Sequence, residues 1–342
     1  VRVVPLLLGV FACGGSEEPV APPTPTVVLP VRVALVEGAP TGVVTDLVRT
    51  SDHSVEVFGS TGHATWERGA LGALTAWAAP ATGRIYGVDL DGDGALEAVA
   101  TGGADAPTTV FGADGQVRFV VDAPGLVPAA ALVADTDGDR DVEIVVHYAG
   151  SDEVRAIDHT GAPVFTSRWT ADTASLRVLP GQPRLAHVDG ISLVVRDPTT
   201  GEAITRARPT SGGAVSRLDF AKDLPNFPGY TLVVTHRPAG APVRQELYAP
   251  DGETSRGSLP WESIRPYVGA MADTPAGRTW FTVDADERPW RIRFYDDDRA
   301  PLATEEFAGD APALVAIPDG ERVLVGFGAG LYAFERRVEA VR

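Results

Sequence analysis

The chain has 342 residues, with 29 Lys and Arg against 46 Asp and Glu and a net charge of −17. A surface this acidic repels a phosphate backbone, which excludes nucleic acid as a charge-driven partner. Hydrophobic residues make up 44%, enough for a sizeable core, and the single Cys excludes an internal disulfide.

At the N-terminus, Arg2 is followed by an apolar run from Val3 to Ala12, and Cys13 stands where the run stops. A basic residue, about ten apolar residues and a small residue before the cut describe a secretory signal. The run falls short of the roughly 20 residues that a membrane-spanning helix needs. With Val10 and Ala12 ahead of it, Cys13 resembles the lipidated Cys of bacterial lipoproteins, although Phe11 is bulky for its place. The resemblance implies that residues 1–13 form a lipoprotein signal peptide with Cys13 as the lipidation site. Membrane contact would then run through the N-terminal lipid alone, at the outer membrane or cell surface. The alternative is an ordinary secretory signal. Residues 14–30 read GGSEEPVAPPTPTVVLP, a Pro-rich composition that predicts a stiff, extended tether.

Residues 31–342 repeat one pattern: a short β run, a tight turn, a second β run. Val55–Phe58 turns at Ser60-Thr61-Gly62, and Thr109–Phe111 turns at Ala113-Asp114-Gly115. Val154–Ile157 turns at His159-Thr160-Gly161, and Leu193–Val195 turns at Thr199-Thr200-Gly201. Gln245–Tyr248 turns at Pro250-Asp251-Gly252, Arg291–Phe294 at Asp296–Asp298, and Leu331–Phe334 near Glu335–Arg337. Thr-Gly and Asp-Gly suit hairpin turns because Gly adopts positive φ without strain. Each hairpin follows another β run, and a period of about 45 residues with four short strands fits a propeller blade. The expected fold is all-β, a seven-bladed β-propeller with four-stranded blades, expected as a monomer. Because a ring must hide its edges, a strand within Val27–Val36 is expected to complete the last blade.

Two repeats carry dense carboxylates before their second strand. One reads Asp89-Leu90-Asp91-Gly92-Asp93-Gly94-Ala95-Leu96-Glu97, the other Asp135-Thr136-Asp137-Gly138-Asp139-Arg140-Asp141-Val142-Glu143. Acids at positions 1, 3, 5 and 9 repel one another unless a hard cation sits among them, and Ca²⁺ takes six to eight oxygen ligands. Position 7, Ala95 or Asp141, would offer its backbone carbonyl. An EF-hand would need an acid at position 12, where Ala100 and Val146 stand, and helical flanks where β runs are found.

Asp89, Asp91, Asp93 and Glu97 resemble the calcium loop of the FG-GAP/VCBS repeat, found in the propeller of integrin α-subunits and in many bacterial exported proteins. Asp135, Asp137, Asp139 and Glu143 match the same loop, with Arg140 in place of its Gly. The resemblance implies two Ca²⁺ sites at the propeller rim, with the first loop the tighter because Gly94 suits the turn that Arg140 strains. Elsewhere the equivalent loops, such as Asp219–Asp223 and Asp273–Gly277, have too few acids or a cation inside. Hairpins such as Phe58–Trp66 also resemble quinoprotein-type propeller repeats, which implies a lipoprotein scaffold in envelope assembly.

The six His show no zinc-ligand spacing, and no nucleophile elbow or phosphate loop occurs. The expected function is a non-enzymatic, calcium-binding adhesion-type propeller at the cell envelope, with a protein or glycan partner. The alternatives are the envelope assembly scaffold and a polysaccharide-active enzyme, since some polysaccharide lyases resemble this propeller class.

Overall fold

Seven antiparallel sheets form the ring of a β-propeller in the computed structural model. It describes residues 26–340 apart from 52, 104–105, 122, 124, 170–171, 180, 209–213, 225–226, 238–243, 261–268, 275–276, 285–288, 297–299, 310, 312 and 320–321. Cys13 and the expected signal peptide lie outside the described residues.

Blade 1 runs from β2 (Val44–Ser51) through β3 (Ser54–Gly59) and β4 (Gly62–Glu67), and its outer strand is split into β5 (Ala70–Leu71) and β6 (Thr75–Ala76). Blade 2 consists of β7 (Ile85–Val88), β8 (Glu97–Ala100), β9 (Thr108–Phe111) and β10 (Val117–Val121). Blade 3 consists of β11 (Val127–Ala134), β12 (Glu143–Ala149), β13 (Glu153–Ile157) and β14 (Pro163–Arg168). Blades 4, 5 and 6 follow the same order, from β15 (Asp172–Val178) to β26 (Pro301–Phe307).

Blade 7 departs from the expected pattern. β27 (Leu314–Asp319) and β28 (Arg322–Phe327) are followed by β29 (Gly330–Ala340), which runs straight through Glu335–Arg337 where a turn was expected. The fourth strand comes from the other end of the chain: β1 (Thr26–Glu37) pairs with β29 from Thr26↔Ala340 to Glu37↔Gly330. The expectation of an N-terminal closing strand is met, and β29 is long because it has β1 to pair with. β1 also takes in residues 26–30, which composition alone placed in the tether.

The core lies between blades. Apolar clusters fill the space between blades 7 and 1, 1 and 2, 2 and 3, 3 and 4, 4 and 5, and 6 and 7. A sheet flanked on both sides buries both faces of its middle strands. All four residues of β8 are buried, as are Glu143–Tyr148 of β12. The outer strand β10 keeps Val117 and Val120 exposed.

In a four-stranded meander, the loop between strands one and two and the hairpin between strands three and four emerge on the same face. That face carries both carboxylate loops. The hairpins are fixed by an Asp at the turn. Asp158 Oδ1 accepts the Thr160 and Ala162 N–H groups, Asp197 Oδ1 accepts the Thr199 N–H, and Asp251 Oδ1 accepts the Glu253 and Thr254 N–H groups. Past the turn, the outer strand skips one residue of its ladder, at 118, 164, 204, 256 and 302 in blades 2 to 6. Such a bulge bends the strand and re-aims the side chain it carries.

Candidate metal-binding loops

The loop between β7 and β8 gathers one carboxylate oxygen each from Asp89, Asp91 and Glu97 within 4.8 Å of one another. Asp135, Asp137 and Glu143 form the same group between β11 and β12. The backbone explains the likeness. Gly92 and Gly138 at position 4 have φ of 71° and 89°, and Gly94 and Arg140 at position 6 both have φ of 88°. Arg140 therefore adopts the turn that Gly94 takes freely, at a cost of about 1–2 kcal/mol for an L-residue in that region.

The fifth-position acids also bond to the backbone. Asp93 Oδ1 accepts the Ala95 N–H at 2.7 Å, and Asp139 Oδ1 accepts the Asp141 N–H at 2.9 Å. Asp93 and Asp139 thus lie outside the two three-carboxylate groups and brace the backbone at position 7. Ala95 is half-buried, and the Asp141 carboxylate faces His159, with Nδ1 at 3.3 Å.

The glutamates anchor each loop from within the sheet. Glu97 is 4% exposed and Glu143 3% exposed. Glu97 Oε2 accepts the Leu90 N–H at 2.8 Å. Glu143 Oε2 accepts both the N–H and the hydroxyl of Thr136, each at 2.7 Å. Burial pushes both carboxyls above the usual carboxylate range, and burial also raises Asp137. The two loops touch: the Val142 N–H donates to the Leu90 carbonyl at 3.1 Å, and Leu90 is fully buried between the blades.

One partner was not anticipated from sequence. Arg118, at the bulge of β10, reaches Asp91 Oδ2 with Nη2 at 3.0 Å and Glu97 Oε1 with Nη1 at 3.1 Å. The matching bulge residue of blade 3 is Val164, which packs into the apolar layer between blades 3 and 4. Aligning Val117-Arg118-Phe119 with Pro163-Val164-Phe165 on their hairpin glycines, Gly115 and Gly161, would have exposed the difference.

The donor set suits a hard cation, since every side-chain ligand is a carboxylate oxygen. In the first loop, Asp89 Oδ1 and Asp91 Oδ1 are buried with no hydrogen-bond partner among the described residues. Buried carboxylate oxygens without donors are costly, and a bound cation would satisfy both. At the corresponding position of blades 5 and 6, the first two strands stay paired as far as Leu224↔Phe227 and Thr274↔Gly277. The buried His63, His147, His187 and His236 belong to four different blades and share no site. His63 is committed to Glu56, with Nδ1 2.5 Å from Oε1.

No family model matches the chain, and no curated protein matches it. Solved structures do. Two structures of BBS1N in complex with ARL6DN, from crystals soaked with lead and with mercury, match with TM-scores of 0.53 and 0.54. Both are 14% identical, and the matches cover 92% and 93% of this chain and 97% and 98% of those chains. BamB from Moraxella catarrhalis matches with a TM-score of 0.46 and 14% identity, over 90% of this chain and 99% of that one. At this identity the two BBS1N matches show a shared fold alone.

Proposed function

We propose that this protein is a calcium-stabilised, non-enzymatic propeller of the cell envelope that binds a protein or glycan partner. The observation that supports it best is the pair of three-carboxylate groups in adjacent blades on one face, the first with two buried, unpartnered oxygens. In this reading Asp89, Asp91 and Glu97 hold one Ca²⁺, and Asp135, Asp137 and Glu143 hold the other. Ala95 and Asp141 stand where a backbone carbonyl would add a ligand. The ions supply structural charge balance: an exported protein in millimolar calcium keeps them bound without regulation. The loops they stiffen belong to the face that also carries the hairpin tips, and a rigid face favours binding because less order is lost on association. The protein-partner half draws on a propeller neighbour solved as a complex, BBS1N with ARL6DN. The export half rests on the run ending at Cys13.

Calcium titration of metal-free protein tests the core of this reading. Heat of binding for two ions is expected, and no binding at millimolar Ca²⁺ overturns it. Cys13→Ala is expected to move the protein from membranes to the soluble exported fraction. The calcium-loaded protein is expected to retain an envelope protein or a capsular glycan. Shortening of polysaccharide chains would instead favour the enzyme.

A further inference from the structure

We infer that Arg118 is a built-in competitor for the cation at the first loop, so that the second loop is the tighter calcium site. This rests on the calcium reading above and reverses the ranking that Gly94 and Arg140 suggest on their own. Arg118 lies on the outermost strand of blade 2, far in sequence from the loop, and the bulge at that residue turns its guanidinium onto the carboxylates. It bridges two of the three residues of the group, at 3.0 Å to Asp91 and 3.1 Å to Glu97. A guanidinium held by two carboxylates is a charge-assisted fork.

The placement has a purpose that a surface ion pair lacks. Glu97 is buried, and without Arg118 it would share the group with two further acids, Asp89 and Asp91, and no cation. A calcium ion entering this loop must share Asp91 and Glu97 with a charge already there, or displace it. Like charges at contact distance oppose each other, most strongly where water is excluded.

The second loop has no such occupant. Asp135, Asp137 and Glu143 make no ion pair with Arg or Lys among the described residues. Arg140 is exposed and contributes only its backbone N–H, to Asp135 Oδ2 at 3.2 Å. The loop contains five acids, Asp135, Asp137, Asp139, Asp141 and Glu143, and its nearest outer-strand counterpart is the apolar Val164. Blade 5 also places an arginine, Arg256, at the bulge, where it reaches the Tyr230 carbonyl and the Thr231 hydroxyl. The bulge recurs in blades 2 to 6, and in blade 2 it aims an arginine onto two acids of the loop.

The test is calorimetric titration of metal-free full-length protein with Ca²⁺, in the wild type and in an Asp137→Asn background that silences the second loop. In that background Arg118→Gln is expected to tighten calcium binding at the first loop by about tenfold, the scale of one charge-assisted interaction. Arg118→Lys, which keeps the charge, is expected to tighten it far less. The melting temperature of the metal-free protein should fall in Arg118→Gln and recover when calcium is added, which also reports whether the variant folds. Unchanged or weaker first-loop binding in Arg118→Gln, with two-ion binding in the wild type, overturns the competitor role and leaves the calcium reading standing. No binding by wild type and Arg118→Gln alike overturns the calcium reading itself.

Discussion

The loops at 89–97 and 135–143 share a backbone and differ in how their charge is balanced. Both take positive φ at positions 4 and 6, both anchor on a buried glutamate, and both turn the fifth-position acid back onto the chain. The first then receives a guanidinium from β10, and the second faces Val164. Spacing of acids determines where a cation could sit. How badly the loop needs one is decided by a residue on another strand.

The sharpest way to break the comparison is to remove the anchors. Glu143→Ala leaves the buried Thr136 N–H and hydroxyl without their acceptor and is expected to cost about 3 kcal/mol in urea unfolding with chelator present. Glu97→Ala strands the buried Leu90 N–H and takes one of two carboxylates from the half-exposed Arg118, which keeps Asp91, so a loss of about 2 kcal/mol is expected. The reverse order would show that the Arg118 bridge outweighs the Thr136 bonds.

Next in size is calcium itself. A ligand at a hundredfold excess over its Kd stabilises the folded state by about 2.7 kcal/mol. At calcium concentrations that fill only the tighter site, Asp137→Asn should abolish most of the rise in melting temperature and Asp91→Asn little of it. Equal losses would mean that Arg118 has no influence on occupancy.

The smallest effect is in the turn. Arg140→Gly relieves a positive φ and should stabilise the metal-free protein by about 1 kcal/mol, whereas Gly94→Ala should cost about as much. No atom lies within 4 Å of a Cβ built on Gly94, so crowding does not enter. Differential scanning calorimetry of the two variants measures both. A destabilising Arg140→Gly would show that the side chain of Arg140 contributes more than its turn costs.

Much of this was legible in the chain. The turns at Gly115, Gly161, Gly201 and Gly252 are local events, written in neighbouring residues, and each joins the third and fourth strands of its blade, from blade 2 to blade 5; the turn before Gly62, expected to be equivalent, joins the second and third strands of blade 1. The acidic loops were legible for the same reason. What local signals missed is what depends on distant pairing. Leu331–Phe334 reads as one more hairpin arm, yet β29 continues to Ala340 because β1, from the far end of the chain, lies alongside it. Asp93 and Asp139 read as ligands by spacing, and the folded loop adds that one oxygen of each accepts the backbone N–H two residues on. Arg118 carries no motif of its own, since its meaning comes from a bulge.

The closing strand has a mechanical side. Any pull on residues before Thr26 enters the ring through β1, the outermost strand of blade 7. A sideways pull peels the strand, and the Thr26–Ala340 pair is the first to part. A pull along the strand loads all its pairs together in shear, which resists far better because no single hydrogen bond bears the load alone. Blade 3, with the second acidic loop, lies three blades away around the ring, as far from blade 7 as a ring of seven allows. Tension entering before Thr26 is therefore borne first by blade 7, with the second acidic loop at the greatest remove from it.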